Sequence, residues 1–241
     1  ETKKQHMSKL RLHEMKFEKM FRIRQMVREA RAGITVSFGM FIALLCMMIS
    51  LNCYELCVHV RDSNIADTKY EYMYTLKYPE KEVPEKASPA YAKTLKKEIY
   101  GYNWDVTVLG IEEGNPYFDL TLTKGKGTVV VSSAMAQKYD LKEGGTFVLN
   151  DEEEGSKYAF EVTGICEYAP AYYVFMDLDS ARDLFGQPDD FYNVLFADEA
   201  LDIPAGRLYA TTTKQDIEKS ASIFVNQMQS MIVTINVVST L

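Results

Sequence analysis

The chain has 241 residues, of which 47% are apolar and 25% charged, a composition that excludes a disordered segment, a collagen-like fibre and a small disulfide scaffold. The mean hydropathy of -0.19 and the net charge of -7 average over unlike parts. Split at its most apolar stretch, the sequence carries opposite signs on the two sides.

Residues 1–33 hold ten Lys or Arg against four Glu, net +6. Phe17, Met20, Phe21, Ile23, Val27 and Ala30 fall mostly on one side of a helix and Arg22, Arg24, Arg28 and Arg31 mostly elsewhere. This pattern predicts an amphipathic helix lying on anionic membrane lipids, with Gly33 placed for a turn into the bilayer. From Ile34 to Tyr54 there are 21 consecutive uncharged residues, 16 of them apolar and none proline. At ~1.5 Å per residue such a helix covers the hydrocarbon core, so residues 34–60 are expected to be a transmembrane helix and its stem. The run is too long and too far from the start for a signal peptide, and no Ala-x-Ala-like site closes it. The basic flank places the N-terminus in the cytoplasm of a cell-membrane protein.

Residues 61–219 carry 17 basic and 29 acidic side chains, net -12, which sets this part outside the cell and excludes nucleic acid as a partner. Tyr70–Tyr78 alternates as a strand. Ser88 as N-cap, Pro89 at the first turn, Tyr91, Leu95 and Ile99 at i, i+4, i+8, and Gly101 as terminator predict a short helix. Trp104–Ile111, Tyr117–Thr123 and Thr128–Val131 read as strands, Ser132 or Ser133 caps a helix through Tyr139, and Thr146–Asn150 with Lys157–Tyr168 make a hairpin. Tyr172–Met176, Tyr192–Phe196 and Arg207–Ala210 are further strands, with a helix capped by Asp177 or Asp179 between the first two. The expected class is α+β, a mixed-sheet extracytoplasmic domain over residues 61–213 carried on transmembrane helical stems.

After Thr213, Ile217, Ala221, Val225 and Met228 recur on one helical face, a stripe suited to transmit motion between membrane and domain. No charge follows Lys219, and Met231–Leu241 reads as the start of a second span, making residues 214–241 a stem entering the membrane.

Chemistry is sparse. Histidine occurs only at 6, 13 and 59, so the outer domain lacks the base that a Ser-His-Asp or Cys-His site needs. Cys166, in an alternating strand, reads as a core residue and not as the nucleophile of a sortase-like transpeptidase. The acidic run 151–154 lacks the alternate spacing of a calcium loop, and Gly125–Thr128 lacks the spacing of a phosphate loop. We expect no catalytic residue, no metal site, no cofactor and no enzymatic activity. Tyr168, Tyr172, Tyr173 and Phe175 around Pro170 are the candidate contact surface for a partner or cargo, with core packing the competing role.

The stretch TVVVSSAMAQKYDLKEGGTFVL at 128–149, followed by YAFEVTGICEYAPAYYVFMDLDSARDLFG, gives strand, Ser-capped helix, Gly pair, strand, Val-x-Gly, Pro loop and Asp-capped helix. Together with the order basic helix, span, acidic domain and returning helix, it resembles the FtsX-like, or MacB-type, permeases of ABC transporters. The resemblance spans essentially the whole chain and identifies a scaffold, not a substrate. It implies a subunit that pairs with a cytoplasmic ABC ATPase, works as a homodimer or pseudo-dimer, and moves an outer domain that acts on peptides, lipoproteins or cell-wall enzymes. No ATPase-contacting helix is recognisable in the sequence. The alternative is a single-pass anchored sensor or adhesion domain with no ATPase.

Overall fold

The computed structural model describes residues 17–78 and 82–240, so the expectations for residues 1–16 lie outside it, as do the side chains of Phe17, Met20, Ile23 and Val27. The chain divides into two units, residues Tyr54–Ser230 and the remainder.

α1 (Phe17–Asp67), of which the part to Cys53 belongs to the second of these, passes through Gly33 without a break, which corrects the expected turn there. A glycine inside a helix costs only about 1 kcal/mol, and neither proline nor a left-handed residue accompanies it to end the helix. Among the described residues one helix is long and apolar enough to cross a membrane, over Ala32–Asp67. Ile34, Phe38, Phe41 and Leu45 along it are exposed.

The Tyr54–Ser230 unit is built on β1 (Tyr72–Leu76), β2 (Ser88–Ile99), β3 (Tyr102–Ile111), β4 (Thr128–Ser132), β5 (Thr146–Asp151), β6 (Ser156–Cys166), β7 (Tyr173–Asp177), β8 (Val194–Ala197) and β9 (Leu208–Thr213). Three helices join them: α2 (Ser133–Tyr139), α3 (Leu178–Leu184) and α4 (Lys214–Thr240), of which the part to Ser230 belongs here. The sheet runs β3-β7-β4-β6-β5-β2-β8-β1-β9, and β3 also pairs with β2. Six strands therefore close on themselves as a mixed barrel, parallel at β3–β7 and β4–β6 and antiparallel elsewhere. Long β2 takes two partners on one edge: Ser88–Ala90 pair with β8 and Lys96 pairs with Asn150 of β5.

Each barrel strand sends alternate apolar residues inward: Leu95, Val106, Val131, Leu149, Val162 and Val174 are each 1% exposed or less. A second cluster lies on the outer face, where Leu109, Val130 and Phe175 meet Phe118, Phe196 and Tyr70. A third covers β1 and β8. The fold is thus α+β with a mixed sheet, as its sequence predicts.

Two elements differ from their sequence reading. Residues 88–99 form β2, not a helix. A spacing of four residues returns to the same side in both periods, so Tyr91, Leu95 and Ile99 fit either one. The residues between them, Lys93 and Lys97, also face inward at the barrel ends and lay their ammonium groups over Phe185 and Phe147. Tyr117–Thr123 is not a strand: Tyr117 lies in a turn, and 118–123 is irregular. Both edges of β3 are taken by β2 and β7, so this segment instead drops Phe118 into the second core cluster.

Candidate functional site

One end of the barrel is covered by α2 and the other by α3. Ser132, with extended φ/ψ, caps α2 by accepting the Met135 N–H, and Asp140 ends the helix in the left-handed region. The same Ser132 hydroxyl donates to the Ala171 carbonyl at 2.9 Å and accepts the Tyr173 N–H at 3.1 Å. Ser133 accepts the Tyr168 N–H at 3.0 Å. The Asp67 carboxylate, at the end of α1, accepts the Ala169 N–H at 2.9 Å. Segment 168–173 is therefore fixed by three side chains from outside itself.

This segment forms one wall of a groove of about 710 Å³, whose other residues include Asp105, Thr107, Gln137 and Lys138. Asp105 is held by an ion pair with Lys96 across the β2–β3 hairpin. Lys138, in the last turn of α2, lies over the rings of Trp104 and Tyr172 and donates to the Tyr172 hydroxyl. The hairpin tip beside it carries Tyr100 and Tyr102, 97% and 71% exposed.

The four aromatic residues proposed from sequence separate into two roles. Tyr168, Tyr173 and Phe175 are core: they are 1%, 9% and 0% exposed and pack on Tyr70, Phe118 and one another. The Tyr168 hydroxyl shares a hydrogen bond with that of Tyr70, and burial raises both phenols above their ordinary range. Tyr172 and Tyr173 both line the groove, and of the two only Tyr172 lies outside the buried core. Trp104, Lys138 and Tyr139, which complete its surroundings, were not singled out by sequence. Trp104 begins the alternation that enters the core at Val106, which gives it the pattern of a buried residue.

Cys166 is 3% exposed, and burial pushes its thiol up to about 11, away from nucleophilic use. At the α3 end, Lys93 bridges Asp151 at 2.7 Å and Glu154 at 2.9 Å beside the Phe185 ring. Burial pushes the Lys93 ammonium down, but the two carboxylates outweigh it and hold it above its ordinary value. No cluster of three metal-ligating side chains occurs among the described residues. On α4, Val225 is buried and Ile217, Ala221 and Met228 are half-buried, so the stripe read from sequence is the covered face of that helix.

No family model matches the sequence, and no curated protein matches it. Among solved structures, the chain is similar to the extracellular domain of the noncanonic ABC-type transporter YknZ from Gram-positive bacteria, at 15% identity and a TM-score of 0.35, over 55% of this chain and 84% of that one. It is also similar to the periplasmic region of MacB from Actinobacillus actinomycetemcomitans, at 9% identity and a TM-score of 0.36, over 66% of this chain and 96% of that one.

Proposed function

We propose that the chain is a permease subunit of an ABC transporter of the FtsX/MacB type, anchored in the cell membrane with its N-terminus in the cytoplasm and its barrel domain outside. A separate cytoplasmic ATPase drives it, and the barrel domain acts on a peptide, lipoprotein or cell-wall target. The observation that carries this reading is the insertion of the domain between two helices. The chain enters it from the end of α1, whose Ala32–Asp67 part has the length and hydropathy of a span, and leaves it through α4. A ligand-binding domain needs only one tether, whereas a domain with a helix at each end receives motion from both. The covered stripe Ile217, Ala221, Val225 and Met228 is the face of α4 that carries that motion, and the subunit works as a homodimer or pseudo-dimer.

A single-pass sensor or adhesion domain is the competing reading, favoured by the single helix among the described residues that meets the criteria for a span. Cysteine labelling in intact cells separates the two. In a background with Cys46, Cys53 and Cys57 replaced by Ser, Glu153→Cys is expected to react with a membrane-impermeant maleimide, and Lys19→Cys only after permeabilisation. Met231→Cys and Val233→Cys are expected to resist it in both states. Free labelling of Met231→Cys and Val233→Cys from outside would contradict the permease and leave the anchored sensor.

A further inference from the structure

The Lys138 ammonium lies 3.4 Å from the centroid of the Trp104 ring, 4.6 Å from that of Tyr172 and 6.0 Å from that of Tyr139. Its hydrogen bond goes to the Tyr172 hydroxyl at 3.3 Å, and no carboxylate of a described residue forms an ion pair with it. A lysine in a domain rich in carboxylates thus takes aromatic faces as its partners. Several aromatic rings around one ammonium are the arrangement that recognises alkylammonium groups.

The rings come from separate elements: Trp104 from β3, Tyr139 from the end of α2, and Tyr172 from the segment fixed by Ser132, Ser133 and Asp67. Trp104 is 45% exposed, so the cage opens to solvent. The Tyr139 hydroxyl is buried there without a hydrogen-bond partner. The net charge of -12 over residues 61–219 favours a cationic visitor over an anionic one.

We infer that Trp104, Tyr139 and Tyr172 form a binding cage for the ammonium group of an extracytoplasmic peptide, a lysine side chain or an amino terminus, and that Lys138 is its intramolecular stand-in. This deepens the proposed function by naming a ligand class, and rests on it only for the location of the domain outside the cell. Binding exchanges one ammonium for another. Lys138 rotates into solvent, the charge in the cage is unchanged, and no bond is made or broken. While Lys138 occupies the cage, the apparent affinity for a ligand falls by the fraction of time that the cage is empty. On the same face of β3 as Trp104, Tyr102 offers further aromatic surface for the rest of a peptide.

Trp104 is the one tryptophan of the chain, so intrinsic fluorescence reports on the cage directly. The test titrates the full-length protein in nanodiscs with acetylated tetralysine and, separately, with tetraglutamate. Tetralysine is expected to change Trp104 emission saturably, to bind about tenfold more tightly to Lys138→Met, and about tenfold more weakly to Tyr172→Ala. Lys138→Gln repeats the first comparison should Lys138→Met fold poorly. Absence of saturable binding by tetralysine, or binding that neither Lys138 variant tightens, overturns the inference. So does saturable binding of tetraglutamate that Lys138→Met abolishes, because Lys138 then serves an anion. None of these outcomes depends on an ATPase partner, so a failure here is distinct from a failure of the permease reading.

Discussion

The carboxylate of Asp67, the last residue of α1, accepts the backbone N–H of Ala169 at 2.9 Å. Next along the chain from α1, the hydroxyl of Tyr70 meets that of Tyr168 at 2.9 Å. The helix end is thereby tied to the segment that walls the groove, so a displacement of α1 acts on the groove without an intervening loop. Removing a charged acceptor from a partly buried N–H costs about 1.5–3 kcal/mol. Asp67→Ala is expected to lower the unfolding temperature and to speed hydrogen exchange across 168–173, and Asp67→Asn, which keeps an acceptor oxygen, is expected to retain most of the protection. Exchange in 168–173 that is unchanged by Asp67→Ala would show that Ser132 and Ser133 alone hold the segment.

Asn193 completes the ladder where β2 passes from one partner strand to the next. Its side chain accepts the Ala92 N–H at 2.7 Å and donates to the Ala92 carbonyl at 2.8 Å, between the β8 pairing at Ala90 and the β5 pairing at Lys96. A side-chain amide here stands in for a missing strand residue. Asn193→Ala leaves both backbone groups without these bonds and is expected to cost about 2 kcal/mol, at roughly 1 kcal/mol for each bond. Asn193→Asp loses the donor and is expected to fall between wild type and Asn193→Ala in urea unfolding at neutral pH.

The Lys93–Asp151 pair makes stability depend on pH. Its bond to Lys93 is the main cause that holds the Asp151 carboxyl below its ordinary value, assisted by the N–H groups of Glu154 and Glu153 and opposed by burial. A depressed carboxyl stabilises the fold above the unfolded value of about 3.9, and this contribution is lost as pH falls through the lower folded value. The raised Lys93 ammonium contributes below about 10.4, and its share is lost as pH rises through the folded value. Urea midpoints measured between about pH 6 and pH 2 are expected to fall less steeply in Asp151→Asn than in wild type. Lys93→Met is expected to cost about 2–3 kcal/mol, less than the roughly 3–5 kcal/mol of a fully buried pair, because Lys93 keeps 17% of its side chain exposed. Parallel acid limbs in wild type and Asp151→Asn would mean that the pair contributes no pH dependence.

Tyr100 occupies the first turn position of the β2–β3 hairpin with φ 51°, followed by Gly101 at φ 80°. Two positive φ values make this the turn for which Asn-Gly is preferred, and a tyrosine there is strained while its ring is 97% exposed. Tyr100→Asn is therefore expected to raise stability by about 0.5–1 kcal/mol, read as an increased thermal midpoint. A lower midpoint would show that the tyrosine ring contributes more than the turn strain costs.

Much of the architecture is legible in the residues because local signals act alone there. Ser132 and Asp177 cap α2 and α3 as their positions suggest, and Tyr158, Phe160 and Val162 alternate against Ala159, Glu161 and Thr163 in β6. What is not legible depends on closure of the barrel. Lys93 and Lys97 hide the period of β2, because charged residues are acceptable inside only at the barrel ends, beside Phe185 and Phe147. Tyr100-Gly101, the hairpin turn that follows, carries the same glycine signal as a helix terminus. The groove is assembled from β3, α2 and the segment before β7, so Trp104, Lys138 and Tyr172 meet only through β3–β7 pairing and the Ser132 contacts. An aromatic cluster around Pro170 is visible in the sequence, whereas which of its members turn inward is decided by the second core cluster.

The central claim, that an ATPase in the cytoplasm drives this outer domain, is tested most directly by purifying the full-length gene product from gently solubilised membranes and identifying what accompanies it by mass spectrometry. The account predicts a P-loop ATPase in stoichiometric amount. Recovery of the intact protein without one, under conditions in which other transporters keep their ATPases, would contradict it.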